Sequence, residues 1–262
     1  MDLSLTVVNY HTYPMIDRFL SSYDHYLPQC HSSEVIVVDN ESTDQAESLS
    51  LPANCYLQKL KDNVGYARAC NFGASLSDSR YIGIFNSDTY FVNNVCLDRL
   101  ISYMDENLDV GLVGPLQYSK ALQPRKFTAA GVIGSRSQPR HRGWKKNDTG
   151  QFRDILVDVP MVLGSAMIVR REAWNEIMWD STFRQHWPNA LGAMPEHFLY
   201  YEDTALCYAM SKFGYRVDFV GDQGAEMVHE WHKTIGKTGH NHFKESRIAF
   251  RNLMDDWGID HD

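Results

Sequence analysis

The feature that most constrains the fold is a short apolar run that ends abruptly in a polar corner. Residues 81–85 read Tyr-Ile-Gly-Ile-Phe, and Asn86, Ser87 and Asp88 follow directly. A run of this length, bounded in this way, is typical of a buried strand. Ligands of open α/β sheets bind in the crevice beyond the carboxyl ends of the strands. The sequence therefore predicts that Asp88 places a carboxylate in such a crevice.

A second run, residues 34–38, ends in the same way at Asp39 and Asn40. Two strands that each deliver a carboxylate indicate a nucleotide site, in which one acid meets the sugar or base and the other holds a metal. The alternative, that each Asp only caps a turn, is common for this residue type and stays open.

Strand-like and helix-like segments alternate through the first half of the chain, which indicates βαβ units and a largely parallel sheet. The predicted strands cover residues 3–8, 34–38, 55–60, 81–85 and 110–115. Helices are predicted from Thr12 and Pro14 onward and over 66–76 and 95–104, with a further helix cap at 42–44. Farther on we predict a hairpin or bent strand made by 157–162 and 165–169, helices over 171–177 and 203–213, a loop with His186, a last strand over 215–220 and a tail helix over 243–257.

Composition excludes several classes of protein. A formal net charge of −8 argues against a surface devoted to gripping nucleic acid. The five cysteines are scattered and form no CxxC pair, so we expect buried thiols in a reducing compartment. No apolar run approaches the roughly 18 residues that span a bilayer, and no signal-peptide pattern opens the chain. These features predict a cytoplasmic protein.

Two familiar ways of holding a diphosphate are missing from the sequence. The stretch from Val8 to Pro14 contains no glycine, which rules out the dinucleotide-binding G-x-G-x-x-G turn after the first strand. A Walker-type P-loop is also absent. The remaining way to hold a diphosphate is a divalent cation that bridges its oxygens. Such a cation requires hard oxygen ligands such as Asp88.

A set of short motifs occurs in a fixed order along residues 3–232. They are Val7-Val8-Asn9-Tyr10, Val37 to Asp44, Asn63 to Asn71, Phe85 to Thr89, Gly164 to Arg171, Phe198 to Asp203, Gly214 to Val217 and Val228-His229. Together they resemble the inverting glycosyltransferases of family 2, especially the rhamnosyltransferase-like branch. The resemblance implies a GT-A fold: an α/β, Rossmann-like, mostly parallel sheet flanked by helices with a smaller acceptor-side subregion. It further implies one domain over 1–262, with a nucleotide-sugar-binding part to about 115 and an acceptor-binding and catalytic part from about 116.

On the donor side, the resemblance implies that Asp88 binds a divalent cation, Mn²⁺ or Mg²⁺, with His229 as a second ligand. Asn86 stands where many relatives carry a first Asp, which leaves one strong carboxylate ligand instead of two. The residues implied to contact the nucleotide diphosphate sugar are Asn9, Asp39, Asn40, Arg68, Asn71, Ser87 and Asp88. Arg68 as a solvated helix charge and His229 as a plain loop histidine remain open alternatives.

On the acceptor side, the resemblance implies that Asp203 is the general base, with Glu202 beside it. The other reading is that these acids only favour the start of a helix. The residues implied to contact the acceptor are Arg142, Trp144, Gly164, Tyr201 and His232. Two features depart from the family pattern on this side: Ala205 stands where relatives carry a further acid, and residues 184–196 form an insertion. The resemblance therefore supports the acceptor-side residues by fewer matching positions than the donor-side residues.

The predicted function is metal-assisted, inverting transfer of a sugar from dTDP-rhamnose or a UDP- or GDP-sugar to an acceptor hydroxyl, as in polysaccharide biosynthesis. A carbohydrate or lipid-linked acceptor is expected, with peripheral membrane contact left open. Two rivals remain: an inactive nucleotide-sugar or glycan-binding protein, and an enzyme acting on modified DNA or another polymer, suggested by the basic segment 136–146. The histidines after Val228 do not have H-E-x-x-H spacing, which disfavours a zinc site.

Overall fold

The computed structural model describes residues 1–42, 49–119, 128–129, 132–133, 140–141, 152–197, 199–230 and 239–261. The pairs between 128 and 141, and residues 239–241, are described by their backbone alone. Within these ranges strands and helices alternate in the first half and become less regular in the second.

The described residues form these strands: β1 Leu3–Asn9, β2 Ser33–Asn40, β3 Cys55–Leu60, β4 Tyr81–Asn86, β5 Thr89–Phe91, β6 Val110–Tyr118, β7 Thr128–Ala129, β8 Val132–Ile133, β9 Arg140–His141, β10 Ile155–Leu156, β11 Ala166–Arg170, β12 Arg216–Val220 and β13 Glu226–His229. The helices are α1 Tyr13–His25, α2 Tyr66–Ala74, α3 Cys96–Glu106, α4 Arg171–Trp179, α5 Ser181–His186, α6 Glu202–Lys212 and α7 Gly239–Trp257.

The central sheet has the order β10-β12-β6-β11-β4-β1-β2-β3. Strands β4, β1, β2 and β3 are parallel to one another, whereas β11 runs antiparallel between β4 and β6. Strand β13 pairs in parallel with the far half of β6 and antiparallel with β5. The mostly parallel α/β sheet expected from the sequence is therefore confirmed.

Both faces of the sheet are buried, as expected for parallel strands covered by helices. Val35 and Val37 of β2 join the apolar cluster that includes α1 and α3. Ile36 and Val38 of the same strand join the cluster that includes α2, α4, α6 and α7. This alternation produces the continuous apolar runs seen in the sequence. None of the helices among the described residues is both long and apolar enough to cross a bilayer.

Four sequence expectations were wrong or incomplete. The segments around Gly164 do not form a hairpin, because residues 157–162 form no strand and β11 pairs with β4 and β6 instead. The strand over 215–220 is not the last, since β13 follows it, and His186 ends α5 instead of lying in a loop. Cys30 is exposed, whereas the other four cysteines are buried as expected. Most of the expected cap at 42–44 lies outside the described residues.

The register of the parallel strands places the polar strand ends at one edge of the sheet. Asn9 of β1 pairs with Asp39 of β2, and Val8 pairs with Asn86 of β4. The polar residues that follow the apolar runs therefore lie at nearly the same level on three adjacent strands.

The opposite edge is tied together by Arg170 at the end of β11. Its guanidinium donates to the backbone carbonyls of Val110, Met104 and Asn107, at 2.9, 2.7 and 3.1 Å. We expect Arg170→Lys to lower the free energy of unfolding by about 2 kcal/mol, because a single ammonium cannot reach all three oxygens in this geometry. Urea unfolding measures the loss.

The matched control is Arg80→Lys, the same change at a half-exposed guanidinium that pairs with Asp2 and Asp105. Exposed ion pairs contribute little, so the control should cost less than about 1 kcal/mol. Equal losses in the two variants would contradict the role given to Arg170.

Candidate functional site

Asp39, at the carboxyl end of β2, is buried inside a hydrogen-bonded network. Its Oδ2 accepts from the Tyr13 hydroxyl at 2.8 Å, and its Oδ1 accepts from the Ser42 backbone N–H at 3.0 Å and from Asn9 Nδ2 at 3.3 Å. Asn9 Nδ2 also donates to the Ser42 hydroxyl at 2.8 Å. The structure thus brings Asn9 and Asp39 together, with both carboxylate oxygens held in place.

Asn40, the next residue of β2, orders the turn that leads into α2. Its Oδ1 accepts from the Val64 N–H at 2.9 Å, and its Nδ2 donates to Asn63 Oδ1 at 2.9 Å. Gly65 occupies the left-handed region with φ of 87°, a conformation that glycine adopts without steric cost. Asn40 is itself buried, so the structure shows it shaping the site's wall.

The corner after β4 carries Ser87 and Asp88, both buried. Ser87 Oγ lies 3.0 Å from the Thr12 hydroxyl, which joins this corner to the end of β1. His229, at the end of β13, pairs with Thr89 in the antiparallel ladder, and its Nε2 lies 3.3 Å from Asp88 Oδ1. The two residues that the family resemblance implied as metal ligands are therefore adjacent, although 141 positions separate them in the chain.

The chemistry of this corner fits a divalent cation. Asp88 Oδ1 is buried and accepts no hydrogen bond from the described residues, which leaves a carboxylate lone pair available. One carboxylate and one imidazole suit Mn²⁺, and a diphosphate and water can supply the remaining oxygens. No group of three or more metal-binding side chains occurs in the described part of the chain, so the protein alone offers an incomplete ligand set.

Arg68 and Asn71, both on α2, have different environments. The Arg68 side chain is more than half exposed, with Nε 3.9 Å from Glu196 Oε2, and stays available for a nucleotide. Asn71 is fully buried: its Nδ2 donates to the Met194 carbonyl at 2.8 Å, and its Oδ1 accepts the Met194 N–H at 3.0 Å. The expected nucleotide contact of Asn71 does not fit this environment, because the amide is used to fix the inserted segment 184–196.

Glu202 and Asp203 begin α6, directly after two residues in the left-handed region. Tyr200 and Tyr201 have φ of 74° and 66°, which is uncommon for residues other than glycine. Asp203 Oδ2 accepts from the Gly164 N–H at 3.1 Å, and its Oδ1 accepts from the Thr204 N–H at 2.7 Å. A Cβ at position 164 would lie 2.6 Å from Asp203 Oδ2, so only glycine permits this approach.

The two acids differ in how well their charges are stabilised. Burial raises the pKa of the Glu202 carboxyl to about 8, and the neighbouring Asp203 carboxylate contributes to the rise. Burial also raises the pKa of Asp203, but the N–H groups of Thr204 and Gly164 act in the opposite direction. Glu202 Oε2 has no hydrogen-bond partner among the described residues. Burial therefore favours the protonated form of Glu202, and the two N–H donors favour the carboxylate form of Asp203.

Of the other residues expected on the acceptor side, Tyr201 belongs to the described part of the chain. The Tyr201 ring stacks on Phe250 of α7, with centroids 5.2 Å apart, and also contacts Phe243 at 5.2 Å. Ser246 of α7 donates to the Leu199 carbonyl at 2.6 Å. Arg142, Trp144 and His232 lie outside the described residues, as does most of the basic segment 136–146.

The sequence profile of Glycosyl transferase family 2 matches residues 4–178, about two thirds of the chain. This chain belongs to that family. It is accordingly a glycosyltransferase that takes its sugar from a nucleotide sugar, and its GT-A fold is established by the family and the sheet together. A search of the curated proteins found none with significant similarity.

Solved structures with the same fold are distant in sequence. S. aureus TarS, residues 1–349, aligns with a TM-score of 0.62 and 17% identity over 100% of this chain and 67% of that one. A second structure of S. aureus TarS aligns with a TM-score of 0.63 and 15% identity over 100% of this chain and 41% of that one. The mannosyltransferase PcManGT from Pyrobaculum calidifontis, in complex with GDP-Man and Mn²⁺, aligns with a TM-score of 0.56 and 16% identity over 97% of this chain and 68% of that one.

Sequence reasoning missed several residues of this glycosyltransferase site. Tyr13, Thr12 and Ser42 complete the Asp39 and Ser87 networks, yet each looks like an ordinary helix or loop residue in the sequence. Tyr66 donates its hydroxyl proton to Asn86 Oδ1 at 2.8 Å. Tyr66 directly follows the Asn63-Val64-Gly65 turn, and this position was the signal in the sequence that could have placed it near the site.

The raised pKa of Glu202 makes the stability of the protein depend on pH. The unfolded chain releases this proton near the ordinary value of 4.5, whereas the folded chain keeps it until about pH 8, so stability falls as the pH rises between these values. Glu202→Gln mimics the protonated acid. Between pH 5 and 8.5, the free energy of unfolding of this variant should therefore fall by about 2–4 kcal/mol less than that of the wild type. Urea unfolding at several pH values measures it.

Glu172→Gln, the same change at an exposed carboxyl of α4, is the control and should leave the pH profile of the wild type unchanged. Parallel profiles for Glu202→Gln and the wild type would contradict a buried, protonated Glu202.

Proposed function

We propose that this family 2 enzyme catalyses a metal-assisted, inverting, single displacement from a nucleotide diphosphate sugar to an acceptor hydroxyl, with Asp203 as general base. The supporting observation is a short chain of contacts between the two halves of the site. The Asn86 N–H donates to the Ser165 carbonyl at 2.8 Å, and the adjacent Gly164 N–H donates to Asp203 Oδ2 at 3.1 Å. The carboxylate of α6 and the corner after β4 are thus held by consecutive residues of one backbone segment.

The reaction needs a base opposite the leaving group. In the proposed step, Asp203 accepts the proton of the acceptor hydroxyl while the acceptor oxygen forms a bond to the anomeric carbon. The bond from that carbon to the diphosphate oxygen breaks at the same time, which inverts the configuration. A cation bound by Asp88 and His229 would neutralise the charge that develops on the diphosphate. Glu202, which keeps its proton, leaves Asp203 as the carboxylate of the pair.

The nucleoside is proposed to lie against the ends of β1 and β2. Asn9 and Asp39 form the buried floor there, and Arg68 on α2 remains exposed toward solvent. The donor is proposed to be dTDP-rhamnose, from the resemblance to the rhamnosyltransferase-like branch, or a UDP- or GDP-sugar. The structures of TarS with UDP and of PcManGT with GDP-Man and Mn²⁺ support the last two.

A carbohydrate or lipid-linked hydroxyl is the proposed acceptor. Residues 184–196 lie between α2 and α7: Asn71 fixes Met194, and His186 Nε2 lies 2.8 Å from Asp256 Oδ2. This insertion therefore belongs to the side of the molecule that carries Glu202 and the packed face of α7. We propose that it helps to set acceptor specificity.

The first test identifies the nucleotide and the metal together. A thermal-shift panel of UDP, dTDP, GDP and their sugars should raise the Tm for one nucleotide series, and more strongly with Mn²⁺. Asp88→Ala should abolish the added effect of Mn²⁺, because the buried carboxylate oxygen is lost. Under saturating donor, we expect turnover to fall at least about 100-fold.

Asp17→Asn, a change at an exposed carboxylate on α1, serves as the control for general charge effects. An Asp88→Ala enzyme with full turnover in the presence of Mn²⁺ would refute the metal assignment. Donor binding without transfer to any of a broad panel of acceptors would favour the inactive binding protein.

The second test concerns the base. Asp203→Asn preserves the shape of the side chain but removes its ability to accept a proton, so kcat should fall about 100- to 10,000-fold. Donor affinity, measured by calorimetry, should stay within about threefold because the donor contacts are elsewhere. A normally folded Asp203→Asn protein that transfers sugar at the wild-type rate would require another base.

A further inference from the structure

Asn86 is held in one orientation by groups on three sides. The Tyr66 hydroxyl donates to its Oδ1 at 2.8 Å. Its backbone N–H donates to the Ser165 carbonyl at 2.8 Å, and its carbonyl accepts from the Thr89 hydroxyl at 2.7 Å. These three hydrogen bonds use the side-chain oxygen and both backbone groups of Asn86.

The direction of the Tyr66 hydrogen bond decides what Asn86 can offer to a ligand. The Tyr66 hydroxyl donates its proton to the amide oxygen of Asn86 at 2.8 Å. The oxygen of the Asn86 amide therefore faces Tyr66, and the amide nitrogen with its two N–H groups is left for other partners. Asn86 is partly exposed at the carboxyl end of β4, where ligands of such sheets bind.

At position 86, a carboxylate and an amide N–H would attract ligands of opposite charge. A second carboxylate beside Asp88 would attract a cation and repel a diphosphate. An amide N–H attracts an anionic oxygen directly, and hydrogen bonds to charged groups are stronger than neutral ones.

We propose that Asn86 is a specificity-determining residue which, oriented by Tyr66, donates its amide N–H to an anionic oxygen of the donor's diphosphate. Tyr66 is a positioning residue in this arrangement, because it acts through Asn86. The inference rests on the proposed function, since it needs a nucleotide diphosphate at the carboxyl end of β4. It predicts measurable binding of the nucleoside diphosphate when no divalent cation is present.

The test compares two binding equilibria in the absence of turnover. Calorimetry with the nucleoside diphosphate found in the thermal-shift panel is carried out in a metal chelator, and Mn²⁺ binding alone is followed by electron paramagnetic resonance. Asn86→Asp should weaken nucleotide binding in chelator at least about tenfold and tighten Mn²⁺ binding about tenfold, because the N–H donor is replaced by an anion. Tyr66→Phe should weaken nucleotide binding in chelator by about threefold without changing Mn²⁺ affinity, because the amide loses its orienting partner.

Asn175→Asp is the matched control. It adds the same charge at an exposed position of α4, next to the opposite end of the sheet, since Arg170 pairs with Tyr81 at the start of β4. Both of its affinities should equal those of the wild type. Circular dichroism verifies folding, and the nearly isosteric Tyr66→Phe keeps the test decisive if Asn86→Asp proves unstable.

The outcomes separate this inference from the proposed function. If the wild type binds a nucleoside diphosphate and both Asn86→Asp and Tyr66→Phe bind it equally well in chelator, only the inference is overturned. If the wild type binds the nucleotide solely with Mn²⁺, the inference is likewise overturned and the metal-assisted proposal stands. If the wild type binds no nucleoside diphosphate under either condition, both fall.

Discussion

The in-register parallel pairing of β4, β1 and β2 is the constraint on which the site depends. It aligns Val8 with Asn86 and Asn9 with Asp39, so polar groups from three separate parts of the chain meet at one edge. A slip of one residue would turn each side chain to the other face of the sheet. The apolar residues on both faces prevent such a slip, because either shift would move the side chains of one core into the other.

Because this alignment buries the polar residues at the strand ends, their side chains must form hydrogen bonds with one another or with nearby groups. Asn9, Asp39 and Asn40 are nearly inaccessible to solvent, and a buried polar group without a partner is costly. The hydrogen bonds from Tyr13, Ser42 and Asn9 remove that cost and also fix the carboxylate of Asp39. A preorganised floor for the proposed nucleotide site thus results from the need to pair buried polar groups.

The antiparallel strand β11 joins the nucleotide side of the molecule to the acids of α6. Its pairing with β4 places the Gly164-Ser165 segment beside Asn86, and the lack of a side chain at Gly164 lets Asp203 approach. One connection joins two backbone groups, Asn86 N–H and the Ser165 carbonyl, and the other joins the Gly164 N–H to the side chain of Asp203.

Local patterns in the sequence were enough to predict the parallel strands, whereas the proximity of Asp88 and His229 was expected only from the family resemblance. Strands β1, β2, β4 and β6 have apolar runs bounded by turn residues, and the structure confirms these strands and the predicted strand β3 within a few residues. The pairing of β10 with β12 could not be predicted, because β10 is only two residues long and β12 lies far from it in the chain. Asn71 illustrates the same limit: only the folded insertion shows that Met194 occupies its amide.

Tyr200 and Tyr201 have a consequence that extends beyond their own turn. Backbone conformations of this kind cost on the order of 1–3 kcal/mol each and persist only where surrounding contacts impose them. Here those contacts come from α7, through Phe243, Phe250 and Ser246. The C-terminal helix thus holds the turn that precedes Asp203, so that loosening α7 would alter the placement of the proposed base.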